Sequence, residues 1–432
     1  MSMTRIAAAA VGLVAAMSIW TRAATKAEYA KLADEIEARV QRDVIGAWFP
    51  HCVDRANGGF HAEWSRDWKR LPSQGRTIVF QSRMTWVSAQ VAMRYPARRE
   101  EFLGYARHGV RTLSDVLWDK QRGGFLWSNQ EKPDAAKLLY GHAFGIYGAA
   151  AAYQATGDQA ALDLAKRAFQ WLEEHYHDEV NGGYFDVVTA DGKPIPAPDP
   201  VTPQNARMGG FIVGYKSQNA HIHTLEALAE LYKAWKDPLV RKRLEEMLVI
   251  VRDKIAVEPG CLNLWLTWDW RAVPDHDSFG HDIETGFLLL EAAESLGLGH
   301  EARTMRMARM LVDHTLDFGF DHQFGGVYDK GYAFSTAHDK KKVWWSAVEG
   351  LNALLLMHEL HGKETDRYWQ AFVKQWSFIR DHMIDPDYPG IYEECEADGR
   401  PIRTQKGHQW KAAYHDGRSF MNTVERLRRM SR

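Results

Sequence analysis

Six glycine marks punctuate this chain at nearly even steps, and they limit it to folds built by repeating one unit. Four are Gly-Gly pairs running into β-forming residues: Asn57-Gly58-Gly59-Phe60, Gly123-Gly124-Phe125, Asn181-Gly182-Gly183-Tyr184 and Gly325-Gly326-Val327-Tyr328. Pro389-Gly390-Ile391-Tyr392 is a weaker version, and Pro259-Gly260-Cys261-Leu262 fills the remaining slot. Taken at 58, 123, 182, 260, 325 and 390, the marks are 65, 59, 78, 65 and 65 residues apart. A period of this size signals a repeated supersecondary unit. Glycine pairs followed by β-formers read as tight turns into short strands.

Helical patterns fill the intervals. One precedes each mark, over about 27–48, 98–117, 159–176, 238–256, 301–316 and 364–384. Another follows each mark after a loop, over about 80–95, 142–155, 219–235, 281–296, 344–360 and 415–430. Apolar residues recur at three and four in most of them, and Thr156-Gly157-Asp158 and Asp237-Pro238 break paired helices. Twelve helices in six pairs, with no linker between them, predict an all-α fold: an (α/α)6 barrel of six helical hairpins in one domain over 25–432, with short β-hairpins in its loops. Closing the stack into a ring buries both of its ends; an open helical solenoid is the alternative. The second helix of each pair is more apolar and richer in small residues, as in Ala143 to Ala155, and suits an inner ring. The first carries more charge, as in Arg241 to Arg252, and suits the outside.

The chain of 432 residues is 45% apolar, which allows a large core, and its 17 tryptophans exceed what packing alone needs. Its net charge of −2 comes without a basic run, which argues against nucleic acid as a partner. Cys52, Cys261 and Cys395 are far apart and show neither metal spacing nor a disulfide framework. At the N-terminus Arg5 precedes the apolar run Ile6 to Trp20 and then Thr21-Arg22-Ala23-Ala24. This is the order of a secretory signal, and the run is short for a membrane span. Residues 1–24 are therefore expected to be a cleaved signal on an exported protein with no stable membrane insertion; an uncleaved anchor is the rival reading.

The starts of the second helices carry unusual residues: Arg83 with Trp86; Tyr140 with His142; Asn219, His221 and His223; His281 and Glu284; Trp344, Trp345 and Glu349; and Trp410, His415 and Arg418. If all inner helices point the same way, these converge at one end of the barrel. His281 and Glu284 are three apart and share one face of a first helical turn. A bland reading is available for that pair, a capping His and a Glu suited to the helix dipole, but six such clusters at equivalent places predict a shared pocket. Its chemistry is histidine-rich. His223, His281 and His415 offer acid or base groups, and Arg83 and Arg418 offer cationic donors. That set suits proton abstraction next to a carbonyl, with donors stabilising the enediolate oxygen. Two bases on opposite faces of a carbon would invert it. His221-x-His223 does not place both rings on one helix face, so no metal is expected. No Gly-x-Ser-x-Gly elbow or phosphate-binding loop is present.

The same residues resemble the N-acylglucosamine 2-epimerase superfamily, most of all its cellobiose (mannobiose) 2-epimerase branch, over about 30–425. The resemblance rests on Gln81-Ser82-Arg83, Tyr140-Gly141-His142-Ala143-Phe144-Gly145, Asn219-Ala220-His221-Ile222-His223-Thr224-Leu225-Glu226-Ala227, Gly280-His281-Asp282-Ile283-Glu284, Val343-Trp344-Trp345-Ser346-Ala347-Val348-Glu349, and Trp410-Lys411 with Tyr414-His415 and Arg418. It implies an (α/α)6 barrel and C2 epimerisation at the reducing end of a β-1,4-linked disaccharide, through ring opening and a cis-enediolate. It casts His281 and His415 as the acid/base pair, His223 as a substrate-binding and ring-handling histidine, and Arg83 as a donor to the enediolate. Asn219, Glu284 and Glu349 would hold substrate or orient histidines, and Tyr140, Trp345 and Trp410 would contact sugar, with Arg418 among the binding residues. No metal or nucleotide is implied, and the expected assembly is a monomer or weak dimer. Two departures bear on which sugar is used: Phe287 stands where the family usually has Trp, and an exported form is less usual than a cytosolic one. Three other readings remain. Aldose–ketose isomerisation uses the same enediolate. A glycoside hydrolase would cast Glu284 and Glu349 as its carboxylates. A non-catalytic sugar-binding protein would keep the aromatics alone.

Overall fold

A computed structural model describes residues 24–132 and 134–432; the expected signal over 1–24 lies outside them but for its last residue. The described chain forms six helix pairs. The outer helices are α1 (Lys26–Arg39), α3 (Arg99–Thr112), α5 (Gln159–His175), α7 (Pro238–Ile250), α9 (Ala302–His314) and α11 (Arg367–Phe378). The inner helices are α2 (Ile78–Arg94), α4 (Leu139–Thr156), α6 (Gln218–Ala234), α8 (Phe279–Ser295), α10 (Trp344–His361) and α12 (Tyr414–Met430). Each inner helix packs on the next, and α12 packs back on α2, where Trp86 and Tyr414 meet edge to face at 5.3 Å. The inner ring is closed, so the open solenoid is excluded. The inner helices are buried along most of their length, as the apolar, small-residue pattern of α4 requires. Among the described residues, no helix is long and apolar enough to cross a membrane.

The outer helices run close to the lengths read from the sequence, because all except α5 continue into a π-helical turn. These turns are Val40–Ile45, Leu113–Leu117, Val251–Ile255, Thr315–Gly319 and Ile379–Met383. A tight antiparallel turn follows each outer helix at the glycine marks, closed at Val53–Phe60, Trp118–Phe125, His177–Tyr184, Phe320–Val327 and Ile384–Ile391. Gly58 and Gly59 show why glycine is required there, with φ of 79° and 73°.

Five of these turns share one internal device. Asp54, Asp119, Asp178, Asp321 and Asp385 each accept two turn N–H groups on Oδ1. Their Oδ2 atoms each meet a cation: Arg76 at 2.6 Å, Lys137 at 2.9 Å, Lys216 and Lys342 at 2.8 Å, and Lys406 at 3.0 Å. Arg76, Lys137, Lys216 and Lys342 stand two residues before an inner helix, so the ion pair ties each turn to the mouth of the barrel. Removing one partner of such a buried pair costs about 3–5 kcal/mol. The fourth repeat departs from the pattern. Its turn is shorter, pairing Ala256–Val257 with Cys261–Leu262, it holds no aspartate, and Asp277 occupies the position two before α8.

Short strands then stitch neighbouring repeats together at that mouth. Lys137–Leu138 pairs with Val187–Val188, Lys216–Ser217 with Trp265–Leu266, Asp277–Ser278 with Lys330–Tyr332, and Lys342–Val343 with Glu394–Cys395, all antiparallel. The first N–H of α2, α4, α6 and α10, which has no partner within its own helix, is taken by the carbonyl of Trp127, Asp186, Leu264 or Glu393 in the next repeat. All six inner helices therefore present their N-termini at the same end, with their first turns fixed.

Candidate active site

Helix phase decides which side chains face the axis. Counted from the first residue of each inner helix, Tyr140, Asn219, Trp345 and His415 are second, and Arg83, His223, Glu284 and Glu349 are sixth. Residues four apart share a face, so two tiers of side chains look inward. A cavity of about 230 Å³ opens at the helix N-termini, lined by Arg83, Tyr140, Asn219, His223, His281, Glu284, Trp345, Trp410 and His415, together with Trp344. Nine of the eleven residues expected from the sequence thus meet at one cavity. Glu349 and Arg418, the other two, lie beneath it and touch the residues that line it.

His142 and His221 are not part of this group. They are fourth in α4 and α6 and face the turns, where His142 Nε2 accepts the Phe125 N–H at 2.9 Å and His221 Nε2 the Tyr184 N–H at 3.3 Å. Gln81 does the same for Phe60 in the first repeat. Burial, with Lys137 or Lys216 nearby, holds each imidazole at about 3. Both are neutral structural acceptors.

Under the cavity, Arg418 is the centre of a buried network. Its guanidinium donates to Glu226, Glu284 and Glu349 and to the Tyr414 hydroxyl. Two of these carboxylates hold site histidines: His223 Nδ1 donates to Glu226 at 2.8 Å and His415 Nδ1 to Glu349 at 2.7 Å. Burial opposes the charge on Glu226, but Arg418, His223 and Tyr414 hold it at about 2. Burial raises Glu349 above the usual carboxylate range and Glu284 adds to the rise, while Arg418 and Ser419, which donate to it, oppose it. Glu284, Glu349 and His415 lie close enough together to suggest metal ligands, but the cation among these carboxylates is the guanidinium. Burial, together with Arg83 and Arg418, holds His415 far below the usual imidazole range.

His281 is held differently. Its Nδ1 lies 2.7 Å from the hydroxyl of Ser278, the residue that leads into α8. Burial, with His223 and His276 nearby, lowers it to about 3. The His281 and His415 rings both pack on Trp345, with centroids 4.6 and 6.0 Å away. Arg83 donates to the Tyr140 hydroxyl at 3.0 Å and the Trp410 carbonyl at 3.1 Å, while its Nε and the Asn219 Oδ1 are buried without protein partners. Phe287, fully buried in α8, packs beneath the Arg418 guanidinium at 5.1 Å. It belongs to the floor of the site, below the residues that line it.

Glu226, Tyr414 and Ser278 are given no role in the pocket by the sequence, whereas Trp344 belongs to the cluster expected at its helix start. A signal existed for Glu226: it follows His223 by three residues, as Glu284 follows His281, and so shares its helix face. Ser278 sits in a strand ahead of its helix, where helical spacing gives no guide.

Comparison with known proteins gives the family of the chain. The family model for N-acylglucosamine 2-epimerase matches residues 58–417. A cellobiose 2-epimerase of Bacteroides fragilis is 29% identical over 394 residues, covering 90% of this chain and 97% of the relative. A D-mannose isomerase of Marinomonas mediterranea is 24% identical, covering 88% and 94%. The solved cellobiose 2-epimerase of Spirochaeta thermophila superposes with a TM-score of 0.80 at 28% identity, covering 92% and 97%. The chain belongs to the N-acylglucosamine 2-epimerase family, and with it to the isomerase class of carbohydrate enzymes.

Proposed function

We propose that the protein is a cofactor-independent 2-epimerase acting at C2 of the reducing-end residue of a β-1,4-linked disaccharide such as cellobiose. The observation that carries this reading is the pair of histidines, His281 and His415, set about one tryptophan at the cavity. After ring opening, one imidazole takes the C2 proton, and the electron pair of the C–H bond moves into a cis-enediolate. The Arg83 guanidinium faces the developing oxyanion. The other histidine, which enters the step as imidazolium, delivers its proton to the opposite face of C2, and recoil of the electrons restores the C1 carbonyl with inverted C2. Proton transfer by each placed base accounts for roughly 10²–10⁴-fold in rate. His223, held by Glu226, is placed to handle the ring oxygen.

A disaccharide is favoured over a single sugar by a second cavity of about 400 Å³ that shares Trp410 with the first and is lined by Trp127, Gln130 and Glu131. The Trp127 and Trp410 rings lie 5.7 Å apart and offer a platform for a second sugar ring. The relative named D-mannose isomerase supports one rival, in which the enediolate proton returns to C1 and a ketose forms. Incubation with cellobiose in D₂O, followed by NMR at the reducing-end H2, separates them. Loss of H2 with a manno-configured product supports the epimerase. A ketose product replaces it with the isomerase, and free glucose would point to hydrolysis.

A further inference from the structure

The fourth repeat lacks the buried cation that the others have, and what stands in its place has the composition of a metal site. In the five regular turns a Lys or Arg neutralises the buried aspartate. Here Asp277 takes the lysine position, Asp282 lies beside it in α8, and both are buried. Among the described residues, their one ion-pair partner is His314 of α9, whose Nδ1 lies 3.6 Å from Asp277 Oδ2 and 3.3 Å from Asp282 Oδ2.

The tautomer of His314 is fixed by its other nitrogen. Nε2 lies 2.8 Å from the Ala333 carbonyl, which can only accept, so Nε2 carries the hydrogen. In the neutral ring Nδ1 then presents a lone pair to the two carboxylates. Nδ1, both Asp277 oxygens and Asp282 Oδ2 are buried without hydrogen-bond partners. An imidazole anchored through one nitrogen to a carbonyl, with the other bare, is the usual disposition of a metal-ligating histidine. Cys261 completes the group: its Sγ, an Asp277 oxygen and His314 Nδ1 all lie within 4.8 Å of one another. The short turn brings it there. Gly260 has φ 125°, and a Cβ on it would lie 2.2 Å from the Met310 carbonyl oxygen, so only glycine lets this turn lie against α9.

We propose that Cys261, Asp277 and His314, with Asp282 beside them against His314, bind one divalent transition-metal ion of the Zn²⁺ class. Thiolate, imidazole and carboxylate form the donor set that class prefers. Bonds of roughly 2.0–2.3 Å in a tetrahedron place neighbouring ligand atoms roughly 3.3–3.8 Å apart, which matches the spacing about His314. The site is buried and lies outside the cavity of the active site, so its role is structural. The ion stands in for the missing lysine and holds the turn, α9 and the start of α8, where His281 is carried.

The test uses tag-free protein purified without chelator. Metal content is measured directly, Co²⁺ is then exchanged in, and the thermal midpoint is followed with Zn²⁺ and with chelator. The expected result is about one equivalent of ion retained through gel filtration, a midpoint that falls with chelator and recovers with Zn²⁺, and a thiolate-to-Co²⁺ charge-transfer band that Cys261→Ser abolishes. Asp277→Asn should weaken retention at least ~10-fold. A wild-type protein that retains no ion and whose midpoint ignores both Zn²⁺ and chelator overturns the site, leaving the two carboxyls to share protons with His314. A band that survives in Cys261→Ser also overturns it. The wild-type measurements need no variant to fold.

Discussion

His281 and His415 do matching work in the proposed reaction but are held by unlike surroundings. His415 donates to Glu349, whose other partners, Arg418 and Ser419, are also donors. A carboxylate surrounded by donors fixes the tautomer of the ring, with hydrogen on Nδ1 and the lone pair on Nε2. His281 faces a serine hydroxyl, which can donate or accept, so its ring can rest in either tautomer. One histidine is preset as a base by a charged network, and the other is free to begin as acid or base. A reversible epimerase needs both groups to exchange roles in the two directions, and the asymmetry lies only in how firmly each is held.

The largest effects come from removing the rings themselves. His281→Asn and His415→Asn should each lower epimerisation by roughly 10²–10⁴-fold. The informative readout is solvent exchange at C2, measured by NMR in D₂O from either epimer. Each variant should keep exchange with one epimer only, and the two should keep opposite ones. If both lose exchange with the same epimer, the two-base reading fails.

Next in size is the network under His415. Arg418→Met leaves three buried carboxylates without their shared cation and should cost about 3–5 kcal/mol in urea unfolding. Glu349→Gln keeps the shape but exchanges a charge-assisted bond, worth about 1.5–3 kcal/mol, for a neutral one. It should cut kcat by roughly 10–10²-fold and leave KM little changed. A variant with a raised KM and intact kcat would place Glu349 on the substrate, undoing its role as support for His415.

The structural histidines give a smaller effect that depends on pH. His142 and His221 are held at about 3 in the fold, below the usual value near 6.5. Their folded values are depressed, so the unfolded chain binds more protons at acid pH. Their contribution is whole above about 6.5 and is lost as pH falls toward 3. His142→Gln keeps an acceptor for Phe125, as Gln81 does for Phe60, and removes one titrating group. Its stability should fall less steeply over that window than the wild type, by up to about 1.4 kcal/mol per pH unit. An unchanged slope in urea titrations across the window would show that His142 binds a proton in the folded state.

These contrasts also mark what the residues reveal before folding. The glycine period and the paired helical patterns were enough for six hairpins, but an open stack stayed possible until the contact of α12 with α2 closed the ring. The inward tier was legible as polar residues at helix starts, since the marks fix where each inner helix begins. Phase within a turn was not. His142, His221 and His223 look alike in the sequence, yet a shift of two positions sends the first two to the turns and the third to the cavity. The same limit hid Glu226 and left Glu349 and Arg418 among the expected lining residues, although they lie one layer deeper. Asp277 was passed over because its meaning depends on the lysine that equivalent positions carry, and that equivalence shows only once the strands ahead of the inner helices are aligned in space.

The smallest effect completes the comparison from the His281 side. Ser278→Ala removes one neutral hydrogen bond, worth about 0.5–1.5 kcal/mol, from a ring that Trp345 and burial already position. It should lower kcat by only about 2–10-fold, and Ser278→Thr, which keeps the hydroxyl, should restore most of the loss. The ratio between Glu349→Gln and Ser278→Ala, measured on the same substrate, is the sharpest measure of the asymmetry. A larger loss in Ser278→Ala would mean that the tautomer of His281, and not that of His415, is the one the protein sets in advance. The preset base would then belong to α8, on the side of the barrel where the turn cation is missing.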